Sequence, residues 1–257
     1  MNILVVNDDG YTAPGIAALV RELRKEHDVF VCAPKENQSA VGHGLTLRRL
    51  LHAEKVTVFD DDAKNSEREL KPVTAFWVDG TPADCVRVAL GNLSAEPDIV
   101  ISGINQAPNL GTDVLYSGTV GAAMEGALNG KPAMAVSLGH EREDTYDNAA
   151  ALAVKVFDSL QAHPLPPFSV LNLNYPETDE ALGLKATSLR ALRYLDTYEP
   201  EMGADGVTRY TLVGGMDKHM ADGEDDYTWL RRGYATMTVL TYDLTHDAAT
   251  KALEDLI

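Results

Sequence analysis

The sequence predicts an α/β fold: a three-layer sandwich on a mainly parallel sheet, with a C-terminal extension or small subdomain. The apolar run at residues 3–6 gives way to helical spacing, and a second apolar run at 28–33 is closed by Pro34. Strand, helix and strand in that length imply parallel pairing through a crossover. Further apolar runs at 98–102 and 132–137 bracket a helix of small residues, Val120, Gly121, Ala122, Ala123 and Gly126 among them, which suits close packing on a sheet. Together these make the sandwich Rossmann-like.

Taken in order, residues 2–6 read as a buried strand. Gly15, Ile16, Leu19, Val20 and Leu23 then fall on one helical face, with Pro14 at the helix entrance. Residues 55–59 and 73–78 are β-like and flank a charged stretch, 60–69, that reads as a solvated loop. Thr81 can cap a helix running to about residue 90, with Pro82 at its first position and Asp84 completing an acidic capping box. Metal binding by Asp84 is the rival reading, and capping is favoured. Residues 144–160 predict another helix and 168–173 another strand. Beyond residue 176 the pattern loosens, with Asp/Gly/Glu-rich turns over 201–226 and a last β-like run at 235–240. Residues 1–176 are therefore expected to form the α/β catalytic core. Residues 177–257 are expected to supply an extension used in oligomer contacts together with the remaining core elements.

Composition narrows the function. The 257 residues carry 22 Lys and Arg against 39 Asp and Glu, a net charge of -17, which opposes a broad or stable nucleic-acid complex. A small phosphorylated ligand stays open, because a bound cation reverses the local field. Cys32 and Cys85 lie in apolar surroundings without CxxC spacing and read as core thiols. No apolar run approaches the roughly 20 residues of a membrane span, so a cytoplasmic protein without a membrane partner is expected.

In parallel α/β folds the loops leaving the carboxyl ends of adjacent strands meet in one crevice. Asp8 and Asp9 leave the first strand, Ser39 follows the second, and Asn105 follows the strand at 98–102. Two carboxylates with a hydroxyl and an amide oxygen suit a hard divalent cation, magnesium or manganese, and are too poor in sulfur and histidine for structural zinc. A capped turn and ordinary loop hydrogen bonds are the plainer explanation of the same residues. Ser117, Gly118 and Thr119 open the small-residue helix, where hydroxyls and exposed amides can receive a phosphate; an unliganded cap explains them equally well. Gly103 and Gly111 would let the turn around Asn105 and Asn109 approach a ligand. Opposite lies the polar loop 37–44, where Asn37 and His43 could support the site. Phosphate orientation or proton transfer is open to His43, and a surface or hydrogen-bonding role is favoured. No GxGxxG, GxxxxGK[ST] or GxSxG motif occurs, which weighs against a dinucleotide dehydrogenase, a P-loop ATPase and a serine hydrolase.

Four ordered segments carry a resemblance: residues 2–11 with Pro14, Gly15 and Ile16; 33–40 with Thr46 and Leu47; 79–86; and 102–105 continuing through 109–111 and 116–123. In these the chain resembles the stationary-phase survival protein SurE family of metal-dependent 5′-nucleotidases, densely to about residue 137 and more loosely after it. The resemblance implies that Asp8, Asp9, Ser39 and Asn105 hold one divalent cation per subunit. It also implies hydrolysis of nucleoside 5′-monophosphates to nucleoside and phosphate by a metal-activated water, with Asp8 and Asp9 as catalytic residues. Ser39, Asn105, Ser117, Gly118 and Thr119 would contact the phosphate, and Asn37, His43 and Asn109 would stand just behind. A broader phosphomonoesterase and a non-enzymatic nucleotide-binding module are the alternatives. The family's exchanged C-terminal elements imply a homodimer or homotetramer. Residues 233–240 look like a variant of its terminal strand motif, departing at Met237 and Val239.

Overall fold

The computed structural model describes residues 1–59, 70–139, 145–217 and 219–253. The charged stretch expected to be a solvated loop, 60–69, lies outside the described residues.

Chain order begins β1 (Asn2–Val6), α1 (Pro14–Leu23), β2 (Asp28–Pro34), β3 (Ala53–Val56), β4 (Val73–Val78) and α2 (Pro82–Asn92). It continues β5 (Ile99–Asn105), a 3-10 turn (Gly111–Leu115), α3 (Gly118–Leu128), β6 (Ala133–Leu138), α4 (Tyr146–Ala162) and β7 (Ser169–Tyr175). The C-terminal part supplies β8 (Leu184–Ala186), β9 (Thr197–Met202), β10 (Thr208–Val213), α5 (Asp226–Arg231), β11 (Ala235–Thr241) and α6 (Asp247–Ala252).

Nine strands form one sheet in the order β3-β4-β2-β1-β5-β6-β7-β11-β8. From β4 through β7 every neighbouring pair is parallel. The edge strand β3 and the late strand β11 pair antiparallel to β4 and β7. The alternation of side chains along each strand builds three layers. Ile3 and Val5 face a core shared with Ile16, Leu19 and Leu23 of α1 and Ala153 and Phe157 of α4. Leu4 and Val6 face the opposite side, against Val86 and Ala89 of α2 and Ala122 of α3. Strands buried on both faces favour apolar residues on both, which is why β1 and most of β6 read as continuous runs, whereas β7 interposes Asn172 and Asn174, whose amides bond Asn109. Each fully buried Leu, Ile or Val stabilises the fold by roughly 1.5–3 kcal/mol relative to exposure.

The helix at Pro82 starts as its sequence demands: Thr81 Oγ1 accepts from the Asp84 amide at 3.1 Å and Asp84 Oδ2 from the Thr81 amide at 2.9 Å. Asp84 also accepts from the Thr46 amide, so its carboxylate is spent on the backbone. The expected strand at 55–59 is displaced to Ala53–Val56. Phe59 is buried instead, and its carbonyl accepts from Nη1 of the buried Arg24 at 2.7 Å, which removes it from the ladder.

The C-terminal region is split between two tasks. β8 and β11 complete the main sheet, while β9 and β10 form a separate antiparallel ribbon whose side chains are almost all exposed. No helix among the described residues is long and apolar enough to cross a membrane.

Candidate active site

The sheet reverses its direction of growth at β1, which has β2 on one side and β5 on the other. Loops from the carboxyl ends of β1 and β5 diverge there and leave a crevice. The turn after β1 is closed by Asn7, whose Nδ2 donates to the Gly10 carbonyl at 2.8 Å, and it presents Asp8 and Asp9. At β5 the pairing with β6 shifts between Ser102 and Asn105. Gly103 makes the shift possible, since a Cβ there would sit 2.3 Å from the Val136 carbonyl oxygen and its φ of +141° disfavours other residues. Asn105 then stands at the crevice, its Nδ2 donating to the Ala107 carbonyl at 2.7 Å. The loop after β2 is tied down by a bond from the Gln38 amide to the Asp8 carbonyl at 2.7 Å and by one from the Ser39 amide to Asn37 Oδ1 at 2.8 Å.

Asp8, Asp9, Ser39, Asn105, Asn109 and Ser117 thereby share the wall of one cavity of ≈ 220 Å³. Asn37 adjoins it, with Nδ2 3.4 Å from Asp9 Oδ1, and the Gln106 amide donates to Asp9 Oδ2 at 3.3 Å. Asn109 is buried and pinned: its amide donates to Asn174 Oδ1 at 2.9 Å and its Nδ2 to Ser137 Oγ at 2.8 Å.

Gly118 and Thr119 are not on that wall; they stand behind Asp8. The Thr119 hydroxyl donates to Asp8 Oδ1, and a Cβ on Gly118 would lie 2.8 Å from the Asp8 Cβ. Asp8 is only 4% exposed. Burial, the largest influence, pushes its pKa up, while the Thr119 hydroxyl and the first amides of α3 favour the ionised form. Ser117 caps α3, its Oγ accepting from the Val120 amide at 3.0 Å.

His43 does not reach this cavity and lines a neighbouring one of ≈ 600 Å³. Its Nε2 bonds Glu125 Oε2 at 2.8 Å. Arg87 Nε and Asn129 Nδ2 hold the other oxygen of that buried carboxylate, at 2.8 and 2.9 Å. The hydrogen-bonding role favoured for His43 therefore has Glu125 as its partner.

Tyr116, which opens the segment leading into α3, also lines the cavity, and so does Asp113, which the sequence does not single out. The C-terminal region also holds the turn that carries them. Asp226 is buried and accepts from the amides of Gly111 at 2.7 Å, Tyr227 at 2.9 Å and Arg190 at 3.0 Å. Tyr194 donates its phenol to Asp113 Oδ2 at 2.5 Å.

The donor set fits a hard cation. Asp8 is a buried carboxylate whose hydrogen-bond partners are a hydroxyl and backbone amides, not a Lys or Arg. In the same turn the Asn7 amide oxygen is buried without a hydrogen-bond partner. Asp8 and Asp9 bring two carboxylates to this turn, and Ser39 and Asn105 add neutral oxygens on the same wall. Such a set suits an ion that keeps part of its water shell, as magnesium does.

The family model described as "Survival protein SurE" matches residues 3–196. The chain belongs to the SurE family. Curated SurE relatives match along the whole length. The 5′-nucleotidase SurE of Fervidobacterium nodosum is 39% identical over 262 residues, covering 100% of this chain and 97% of its own. That of Synechococcus elongatus is 39% identical over 267 residues, with 100% and 99% covered. Among solved structures, the SurE protein from Aquifex aeolicus superposes with a TM-score of 0.83 at 33% identity, covering 100% of this chain and 99% of that one. The likeness to that structure extends over the whole chain, the segments beyond residue 176 included.

Proposed function

We propose that this protein is a 5′-nucleotidase that hydrolyses nucleoside 5′-monophosphates to nucleoside and inorganic phosphate. The carrying observation is the convergence of Asp8, Asp9, Ser39 and Asn105 on one cavity beside Ser117, in a chain 39% identical over its length to a protein named 5′-nucleotidase SurE. Asp8, Asp9, Ser39 and Asn105 would hold one divalent cation, magnesium or manganese. A cation bound there supplies Lewis acidity towards a phosphoryl oxygen and lowers the pKa of water.

The chain's own groups do the rest. Thr119 and the start of α3 fix Asp8, so its orientation costs little reorganisation during reaction. The Gln106 amide and Asn37 fix Asp9, which is less buried and is the carboxylate better placed to move a proton. Ser39, Asn105 and Ser117 present oxygens and amides to the phosphate, with Gly118 and Thr119 supporting from behind and Asn109 from the cavity wall.

The exposed ribbon and α6, none of whose residues is buried, support assembly into a homodimer or homotetramer through residues 177–257; light scattering on the purified protein measures it. The two free, buried cysteines suit the reducing cytoplasm.

Phosphate release from nucleoside 5′-monophosphates and unrelated phosphomonoesters, using chelated protein with and without magnesium or manganese, tests the reading. Cation-restored turnover strongest on the nucleotides supports it. Preference for another ester points to a broader phosphomonoesterase, and binding without turnover to a nucleotide-binding module.

A further inference from the structure

The 3-10 turn Gly111–Leu115 brings Asp113 onto the wall of the cavity that holds Asp8, Asp9, Ser39 and Asn105, and no role described so far uses its carboxylate. An ionised carboxylate offers hydrogen-bond acceptors only, so it repels a phosphoryl group and welcomes a hydroxyl. Its two oxygens are differently placed. Oδ2 accepts the Tyr194 phenol at 2.5 Å, whereas Oδ1 accepts no hydrogen bond among the described residues. Burial, with the neighbouring carboxylate, pushes the Tyr194 phenol well above its ordinary pKa, so its hydroxyl stays a donor. The result is a carboxylate on the cavity wall held through one oxygen, with the other making no hydrogen bond among the described residues.

The cavity's size fixes what reaches that oxygen. At ≈ 220 Å³ it is smaller than the roughly 300–1,000 Å³ of sites that enclose a small ligand, so a nucleotide with its phosphate among Asp8, Asp9 and Asn105 must extend outward. Tyr116, 66% exposed, marks the rim. The sugar is bonded to the phosphate and meets the wall first; the base lies farther out.

We infer that Asp113 is a specificity-determining residue whose carboxylate accepts a hydrogen bond from a ribose hydroxyl of the substrate. This deepens the nucleotidase reading and rests on it. Tyr194 acts through Asp113 as a positioning residue.

The test compares kcat/KM on a nucleoside 5′-monophosphate and on its 2′,3′-dideoxy counterpart, for the wild type, Asp113→Ala and Tyr194→Phe, with p-nitrophenyl phosphate as a third wild-type substrate. Wild-type protein should prefer the ribonucleotide by about 10- to 100-fold, the usual scale for a hydrogen bond to a charged group. Asp113→Ala should bring that ratio close to one, and Tyr194→Phe should lower it part of the way, chiefly through KM. Circular dichroism identifies any variant that fails to fold. In that case Asp113→Asn, which keeps an acceptor but not the charge, replaces it and should show an intermediate ratio. An unchanged ratio in a folded Asp113 variant, or equal wild-type rates on the two nucleotides, overturns this inference alone. Wild-type protein that cleaves p-nitrophenyl phosphate but neither nucleotide overturns the nucleotidase reading and this inference with it.

Discussion

The amide of Gly111 donates to Oδ2 of Asp226 at 2.7 Å, joining the turn on the cavity wall to helix α5, 115 residues later in the chain. Asp226→Asn keeps the shape but puts an amide nitrogen where a carboxylate oxygen accepted a backbone N–H. We expect a loss of about 1–3 kcal/mol in urea unfolding, with a raised KM for substrate. Burial raises the Asp226 pKa, so the folded form binds this proton more tightly than the unfolded chain does. This preferential proton binding adds stability at acid pH that is lost as pH rises through the raised pKa.

Asp8→Asn should separate stability from activity. Because burial disfavours the charged form and Thr119 can still donate to the amide oxygen, the variant should be at least as stable as metal-free wild type at neutral pH while losing turnover. The folded pKa of Asp8 is raised, so the wild type recovers stability as pH falls through it. The advantage of the variant should therefore shrink towards acid pH, which urea titrations at a series of pH values will show.

Cation addition should stabilise the wild type. At a free concentration 100 times Kd the gain is about 2.7 kcal/mol, a rise of roughly 5–10 °C in Tm for a chain of this size. Chelator should reverse it, and Asp9→Asn should abolish both the thermal shift and phosphate release.

Gly118→Ala probes the contact behind Asp8. The new methyl would lie 2.8 Å from the Asp8 Cβ and 3.0 Å from its Oδ2, forcing the carboxylate or α3 to move. A fall of at least about 10-fold in kcat/KM is expected with an unchanged far-UV spectrum, because small displacements of reacting groups are costly.

Glu125→Ala removes the carboxylate shared by His43, Arg87 and Asn129 and should cost about 1–3 kcal/mol, read from urea unfolding. The His43 hydrogen bond, foremost, and Arg87 hold the Glu125 pKa below its ordinary 4.5. Its stabilisation is complete above that value and is lost as pH falls through the lowered one, so wild type and variant should converge in acid.

The parallel core was readable in the sequence because strands covered on both faces leave continuous apolar runs, as in Ile3, Leu4, Val5 and Val6 of β1. The crevice was readable because polar residues follow those runs, Asn7, Asp8 and Asp9 after Val6 and Asn105 after Ile104. The bond from Thr119 to Asp8 was not, since 111 residues separate the pair and a helix start advertises an anion site without saying which anion fills it. Nor was the ribbon of β9 and β10, where both faces meet solvent and the alternation that betrays a strand is lost. Asp113 was not legible either, because an acidic residue in a polar turn carries no periodic signal; the Tyr194 bond and the cavity wall single it out.

The grip of Asp226 on Gly111 also bears on how the molecule is made. A nascent chain emerging from the ribosome carries Asp8, Asp9, Ser39 and Asn105 long before it carries Asp226, so the proposed cation ligands are synthesised early and the turn facing them is secured late. Activity should therefore switch on near the end of translation. Ribosome-stalled chains whose exposed portion stops short of α5 should fold much of the parallel sheet and yet remain silent.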